Sequence, residues 1–234
     1  MSIRDILSAG TAAWGLTLDG EALDRFEAYY AYLSEQNEVM DLTAVEGEEE
    51  TARRHFLDSL SLLRLGDFSS ARLIDVGSGA GFPGLPLKLA VPSLRLTLLD
   101  SQQKRVDFLS ALCRKLGVEA SCVHARAEEQ ALLPEERDGY DFAVARAVAR
   151  LNVLCELCLP FVKPGGAFLA MKARDSDGEL AEAAHALRVL NAAPPRTEAM
   201  EVAGVERRVA VIRKLGPTPK GYPRRFAKIK KNPL

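Results

Sequence analysis

The chain has 234 residues, 47% of them apolar and 27% charged, with a formal net charge of −1. That length accommodates one full α/β core with a small extra subdomain, and the composition is that of a globular chain. No uncharged apolar stretch approaches the roughly 18 residues of a membrane span, the start MSIRDILSAGTAAWG lacks the regions of an export signal, and four cysteines (Cys113, Cys122, Cys155, Cys158) suggest no disulfide framework, so a cytoplasmic protein is expected.

Residues 1–66 read as a helical cap. GEALDRFEAYYAYLSEQ places Leu23, Phe26, Tyr30 and Leu33 at helical spacing, and EEETARRHFLDSLSLLRLG does the same with His55, Phe56, Leu60 and Leu63 before Gly66. Trp14, the only tryptophan, reads as an anchor of this segment on the core. Residues 67–215 alternate β-rich runs with helix-length stretches, the pattern of a mostly parallel sheet covered by helices. The runs are ARLIDVG, LRLTLLD, EASCVHA, YDFAVARA and GAFLAMKA, then RTEAMEVA and ERRVAVIRKL. A short link between the last two predicts a hairpin and so an antiparallel last strand. Between the second and third runs, Val106, Leu109, Leu112, Cys113 and Leu116 line one helix face, with Gly117 at the C-cap.

From Arg213 onward there are eight Lys or Arg and no acidic residue. Such a run is either an electrostatic footprint for nucleic acid or a solvated terminus. Residues 216–234 are too Pro-rich and basic to be expected in a core.

The chemistry concentrates in LIDVGSGAGFPGLPLKLAVP, which permits two registers. Gly79-Ala80-Gly81-Phe82-Pro83-Gly84 matches the dinucleotide fingerprint, but leaves Asp75 to Gly77 without a role. The other register runs Asp75, Gly77, Gly79, Gly81, with Pro83 entering a helix. Its glycines let the backbone approach a ligand, and its carboxylate favours an amine or sulfonium over a phosphate, as in S-adenosylmethionine. Asp100 ends the next run, 23 residues after Gly77, where a carboxylate can accept both ribose hydroxyls of either cofactor.

Other constellations are blander. Cys155 and Cys158 form C-x-x-C inside an apolar helical stretch and read as packed cysteines rather than a redox or zinc site. His55, His124 and His185 show no ligand spacing; His55 and Asp58 share a helical face, which suits a packing or capping role ahead of one orienting a group near the cleft.

LIDVGSGAGFPGLPLKL, LLDSQQKRVDFL, RAEE, VARAVARL and GYPRR, with RHFLDSL and LTAV upstream, together resemble the RsmG (GidB) family of small-subunit ribosomal RNA guanine-N7 methyltransferases. Where that family usually carries a Trp-Asn pair and an Asn before LT, this chain has Gln36-Asn37 and Asp41. The resemblance implies a Rossmann-like, class I S-adenosylmethionine-dependent methyltransferase: a seven-stranded, mostly parallel sheet with the last strand antiparallel, and an N-terminal helical extension. It implies cofactor contacts from Gly77, Phe82, Asp100, Ser101, Gln102, Ala127, Glu128 and Arg146, beside Gly79 and Gly81 of the loop. Lys172, ending the fifth run, is a candidate substrate contact, and Arg224, Arg225, Lys228, Lys230 and Lys231 are candidate RNA contacts.

The implied substrate is a guanine of the 530 loop of 16S ribosomal RNA, position 527 in the usual reference numbering, within the small subunit, for an enzyme that is a monomer without membrane contact. Guanine N7 has an in-plane lone pair and no hydrogen, so no acid or base is expected, only positioning by Arg146 and Lys172. The alternatives are an RNA-binding assembly factor without turnover and a dinucleotide-dependent oxidoreductase using the Gly79 register. No metal is expected.

Overall fold

A computed structural model describes residues 1–146, 149–172 and 177–234. Two helices open the chain, α1 (Ile3–Ala12) and α2 (Gly20–Met40). Ser2 and Asp5 form a reciprocal capping box on α1, and the Asp19 carboxylate accepts the Ala22 N–H at 2.7 Å to start α2. A third helical run follows, α3 (Glu48–Thr51), then a π-helical segment (Ala52–Leu57), α4 (Asp58–Leu60) and a 3₁₀ turn (Ser61–Leu65).

The remainder alternates as expected: β1 (Arg72–Val76), α5 (Gly84–Ala90), β2 (Arg95–Asp100), α6 (Gln103–Leu116), β3 (Ser121–His124), α7 (Ala127–Gln130), β4 (Tyr140–Arg146), α8 (Leu151–Cys158) and β5 (Val162–Lys172). Then come α9 (Asp177–Glu182), α10 (Ala184–Val189), β6 (Arg196–Val202), β7 (Val205–Arg213) and α11 (Phe226–Lys231). The seven strands are ordered β3-β2-β1-β4-β5-β7-β6, with β7 antiparallel to both neighbours. The order reverses direction between β1 and β4, which opens a crevice at the carboxyl ends of those strands.

Each face of the sheet carries its own core. On one, Leu73, Leu96 and Leu98 meet α5, α6 and the N-terminal helices through Phe26, Tyr29 and Phe56; Trp14 packs against the edge of this cluster, under Arg64. Residues 1–66 therefore share a core with the sheet. The π-helical segment, whose i→i+5 bonds take extra residues per turn, changes which side chains face inward. Leu62 is fully buried where the helical spacing pointed to Leu63, and in α2 Tyr29 is fully buried where it pointed to Tyr30.

The opposite face packs α8, α10 and, contrary to expectation, the C-terminal segment. Its basic residues do not all face water. Lys214 is 1% exposed, its ammonium 3.1 Å from Asp138 and donating to Thr218 and to the Leu159 carbonyl. Burial lowers the Lys214 pKa against the attraction of Asp138. Arg137 donates to the carbonyls of Thr218, Pro219 and Tyr222, and Ile229 of α11 is completely buried. Among the described residues, no buried side-chain nitrogen or oxygen of this Pro-rich segment lacks a hydrogen-bond partner, which is how so basic a stretch docks on an apolar face.

Candidate functional site

The glycine loop leaves β1 and closes on itself through the backbone. Gly77 and Ser78 both donate to the Leu99 carbonyl of β2, and Gly81 and Phe82 donate to the Ser78 carbonyl. Gly77, Gly79 and Gly81 have φ of 76°, 57° and 100°, values that L side chains rarely adopt. At Gly79 a Cβ would find nothing nearer than 4.0 Å, so that backbone faces open space; at Gly81 it would lie 2.6 Å from the Tyr29 hydroxyl.

Asp75 lies under the loop, fully buried. Its Oδ2 accepts the Gly84 N–H at 2.8 Å, and its Oδ1 is buried without a hydrogen-bond partner. Burial pushes its carboxyl up to about 7, against the pull of the Gly84 N–H and of Arg146. Asp100, 3% exposed at the end of β2, accepts Gly79 N–H on Oδ2 at 3.0 Å and Gln102 N–H on Oδ1 at 2.9 Å. Each carboxylate oxygen keeps acceptor capacity beyond its one backbone partner. Ser101 and Gln102 are exposed beside it, and Ala127 and Glu128 begin α7 just after β3. All these positions stand on the same rim of the sheet.

The other wall comes from the N-terminal helices. Phe82 is 4% exposed, with Tyr29 stacked on it at 5.3 Å, His55 at 4.5 Å and the Arg146 guanidinium 5.0 Å above the ring. Tyr29 donates to the Ala80 carbonyl at 2.5 Å and so ties α2 to the glycine loop. Arg146, ending β4, donates to the Arg54 carbonyl at 3.2 Å, to Asp58 at 3.3 Å and to His55 Nδ1 at 3.1 Å. His55 Nδ1 lies 3.1 Å from the Arg54 carbonyl as well as from the Arg146 guanidinium, and its Nε2 lies 2.7 Å from Thr43 Oγ1. Burial and the Arg146 charge lower the His55 pKa to about 4, so the ring is neutral near pH 7.

Asp58 bridges two arginines. Opposite Arg146 stands Arg207, whose Nε lies 3.0 Å from Asp58 Oδ1 yet is not aligned for a hydrogen bond, and both of those atoms are buried without a hydrogen-bond partner. Burial raises the Asp58 pKa despite the attraction of both cations. Arg207 reaches this place because β7 is antiparallel: its first residues lie at the rim, Arg208 standing opposite Lys172. The Lys172 backbone ends β5 there, and its side chain lies outside the described residues.

The structure therefore gathers Gly77, Gly79, Gly81, Phe82, Asp100, Ser101, Gln102, Ala127, Glu128, Arg146 and the Lys172 backbone along one rim. Sequence reasoning did not place Tyr29, Thr43 or Arg207 here, and ranked packing or capping at His55 and Asp58 above an orienting role. The antiparallel last strand was the signal for Arg207, since it returns its start to the rim. Among the RNA candidates, Arg225, Lys228, Lys230 and Lys231 are exposed. Arg224 is a correction: its guanidinium and backbone N–H grip Glu156, itself 0% exposed, with bonds of 2.6 to 2.9 Å, so it anchors the C-terminal segment. Cys155 and Cys158 are buried within α8, and among the described residues no group of three or more His, Cys, Asp or Glu could hold a metal ion.

Comparison with known proteins bears on this rim. The family model GidB, rRNA small subunit methyltransferase G, matches residues 22–209. "Ribosomal RNA small subunit methyltransferase G" of Acetivibrio thermocellus is 44% identical over 237 aligned positions, covering 100% of this chain and 98% of that protein. The protein of the same name from Halalkalibacterium halodurans is 45% identical, covering 94% of each. Among solved structures, a methyltransferase from Pyrococcus furiosus superposes with a TM-score of 0.58 at 10% identity, over 82% of this chain and 98% of that one. A SAM-dependent methyltransferase from Aquifex aeolicus gives 0.52 at 19%, over 70% and 93%. These structural likenesses concern the fold.

Proposed function

The chain belongs to the family of rRNA small subunit methyltransferase G, and from that premise we propose that it transfers a methyl group from S-adenosylmethionine to N7 of a guanine in the 530 loop of 16S ribosomal RNA. The enzyme class and the cofactor follow from the family. The guanine atom, the loop, the assembled small subunit as substrate, the monomeric state and the cytoplasmic location are our reading. No helix among the described residues is long and apolar enough to cross a membrane.

The rim fits the cofactor. Gly79 presents backbone to open space, Asp100 retains acceptor capacity for two ribose hydroxyls, and the buried Asp75 places a carboxyl beneath the loop with one oxygen unpartnered. We assign Gly77, Gly79, Gly81 and Phe82 to the floor, Asp100 to the ribose, Ser101 and Gln102 to the rim above it, Ala127 and Glu128 to the adenine edge, and Arg146 to the side facing the base. When bound, S-adenosylmethionine supplies an electrophilic methyl group on a sulfonium.

The protein's part is orientation. Guanine N7 gives up no proton as it is methylated, so no side chain has to accept one. The observation that carries the reading is the grip on Arg146. Three acceptors from the N-terminal helices and the Phe82 ring fix its guanidinium at the junction of the two walls, where it can hold guanine O6 or a phosphate oxygen. Asp58 places negative charge beside a base that becomes positive, and neutral His55 adds no opposing charge. Arg225, Lys228, Lys230 and Lys231 form a basic surface for RNA phosphates.

The test incubates small subunits from cells lacking this gene with the purified protein and methyl-labelled cofactor, then maps label by cleavage specific for N7-methylguanine. Label at one guanine of the 530 loop is the expected result. Label elsewhere, or none with cofactor binding intact, would overturn the assignment of the target.

A further inference from the structure

Away from the reaction rim, two cysteines line one cavity at the end of the sheet that α6 reaches last. Cys113 lies in the final turns of α6 and is 5% exposed within the core; Cys122 is the second residue of the edge strand β3 and is half-buried. The two elements pack directly against each other. Both cysteines, with Ser110, Arg114 and Glu119, line a surface cavity of about 910 Å³.

Each thiol is the largest influence on the other. Cys113, the Ser110 hydroxyl and the Arg114 charge favour the thiolate at Cys122, while Cys122 together with burial holds Cys113 protonated. This differs from Cys155 and Cys158, which are also close in sequence but 0% exposed inside α8. A stabilised sulfur at a cavity wall, backed by a second sulfur in the core, has the parts of a reactive dithiol: an attacking group, access for a small oxidant, and a resolving group.

We propose that Cys113 and Cys122 are a modification site for peroxides, with Cys122 as the attacking sulfur and Cys113 as the resolving one. Cys122 thiolate attacks a peroxide oxygen; an S–O bond forms, the O–O bond breaks, and the departing hydroxide takes up the proton that Cys122 released. The Cys113 sulfur then attacks the resulting sulfenic sulfur, an S–S bond forms, the S–O bond breaks, and a second water leaves with the Cys113 proton. Two thiols lose two electrons and one peroxide becomes two waters. The product links α6 to β3, and a thiol reductant reverses it.

The experiment treats the full-length protein with hydrogen peroxide and follows intact mass and peptide maps with and without dithiothreitol. The expected product is lighter by two hydrogens, carries a Cys113–Cys122 bond and returns to the starting mass on reduction. Cys113→Ser is expected to stop at a sulfenic acid on Cys122 that dimedone captures, and Cys122→Ser to slow the loss of thiol at least about tenfold. A different pairing, over-oxidation of Cys122 without a bond, equal rates in Cys122→Ser, or resistance at doses that oxidise the unfolded chain would each overturn the proposal. Circular dichroism of both variants separates these outcomes from misfolding.

Discussion

The two walls of the reaction cleft hold their shapes by different means. The glycine-loop wall is backbone: Gly77, Ser78, Gly81 and Phe82 bond to carbonyls of the loop or of the neighbouring strand, and Asp100 receives two main-chain N–H groups. The cap wall is side chain: the His55–Asp58 stretch, Arg146 and Arg207 come from three separate parts of the chain and contact one another, while Tyr29 of α2 bonds to the Ala80 carbonyl of the loop. A backbone-built wall tolerates almost no change of residue but depends little on the rest of the molecule. A side-chain-built wall depends on every element that delivers a member.

That difference can be broken most severely at the loop. Gly81→Ala puts a Cβ 2.6 Å from the Tyr29 hydroxyl at a φ of 100°, and left-handed strain plus overpacking should cost about 4 kcal/mol and abolish cofactor binding. Gly79→Ala, which meets open space, should cost only about 1 kcal/mol in stability while still weakening cofactor binding, since its methyl enters the space we assign to the ligand. Denaturant midpoints and cofactor titration separate the two; equal stability losses would show that the contact with Tyr29 carries nothing.

A step down in size, Arg224→Ala leaves the buried Glu156 carboxylate without its guanidinium partner and should cost about 3 kcal/mol without altering cofactor affinity. It contrasts an anchor of the C-terminal segment with its exposed face.

The walls also differ in how they respond to acid. Asp75, under the loop, has its pKa raised from 3.8 to about 7, so the native state keeps a proton that the unfolded chain releases in that window, and its contribution is lost as pH rises. His55, in the cap, is lowered from 6.5 to about 4, so the unfolded chain binds the extra proton, and its contribution is lost as pH falls through that range. The two slopes oppose each other in the native protein. Asp75→Asn should expose the His55 slope, with thermal stability rising between about pH 4.5 and about pH 6.5, and His55→Gln should expose the reverse. Parallel profiles in the two variants would contradict both assignments.

The smallest effect belongs to the exposed cations. Replacing Lys228, Lys230 and Lys231 together by alanine should change stability by less than about 0.5 kcal/mol while raising the RNA concentration needed for half-maximal methylation and flattening its salt dependence. An unchanged salt slope would remove this surface from the interface.

The same contrast governs how much the sequence disclosed. The loop was legible because its constraint is local: alternating glycines and an acidic residue at each of two strand ends follow from backbone geometry within a short stretch. The antiparallel β7 was legible from the short link before it, while the order of the strands was not. The cap wall was not, because nothing local to Asp58 says that it meets Arg146 from one strand and Arg207 from another, and because the π-helical segment shifts the inward face that a 3.6-residue period assigns. Lys214 and Arg224 were misplaced for a related reason. A charged residue reads as solvated until its partner, Asp138 or Glu156, is brought to it by the fold.

On the reading proposed above, the cap positions Arg146 for the reaction through Asp58. The most direct test is a double-mutant cycle of Asp58→Asn and Arg146→Lys, read as the single-turnover rate of methyl transfer to small subunits with cofactor affinity measured alongside. Strong non-additivity is expected, the double variant falling little below the worse single one, with a coupling of at least about 1.4 kcal/mol, or roughly tenfold. Rate losses that add to within about 0.5 kcal/mol would contradict it, showing that the two residues act on the reaction independently.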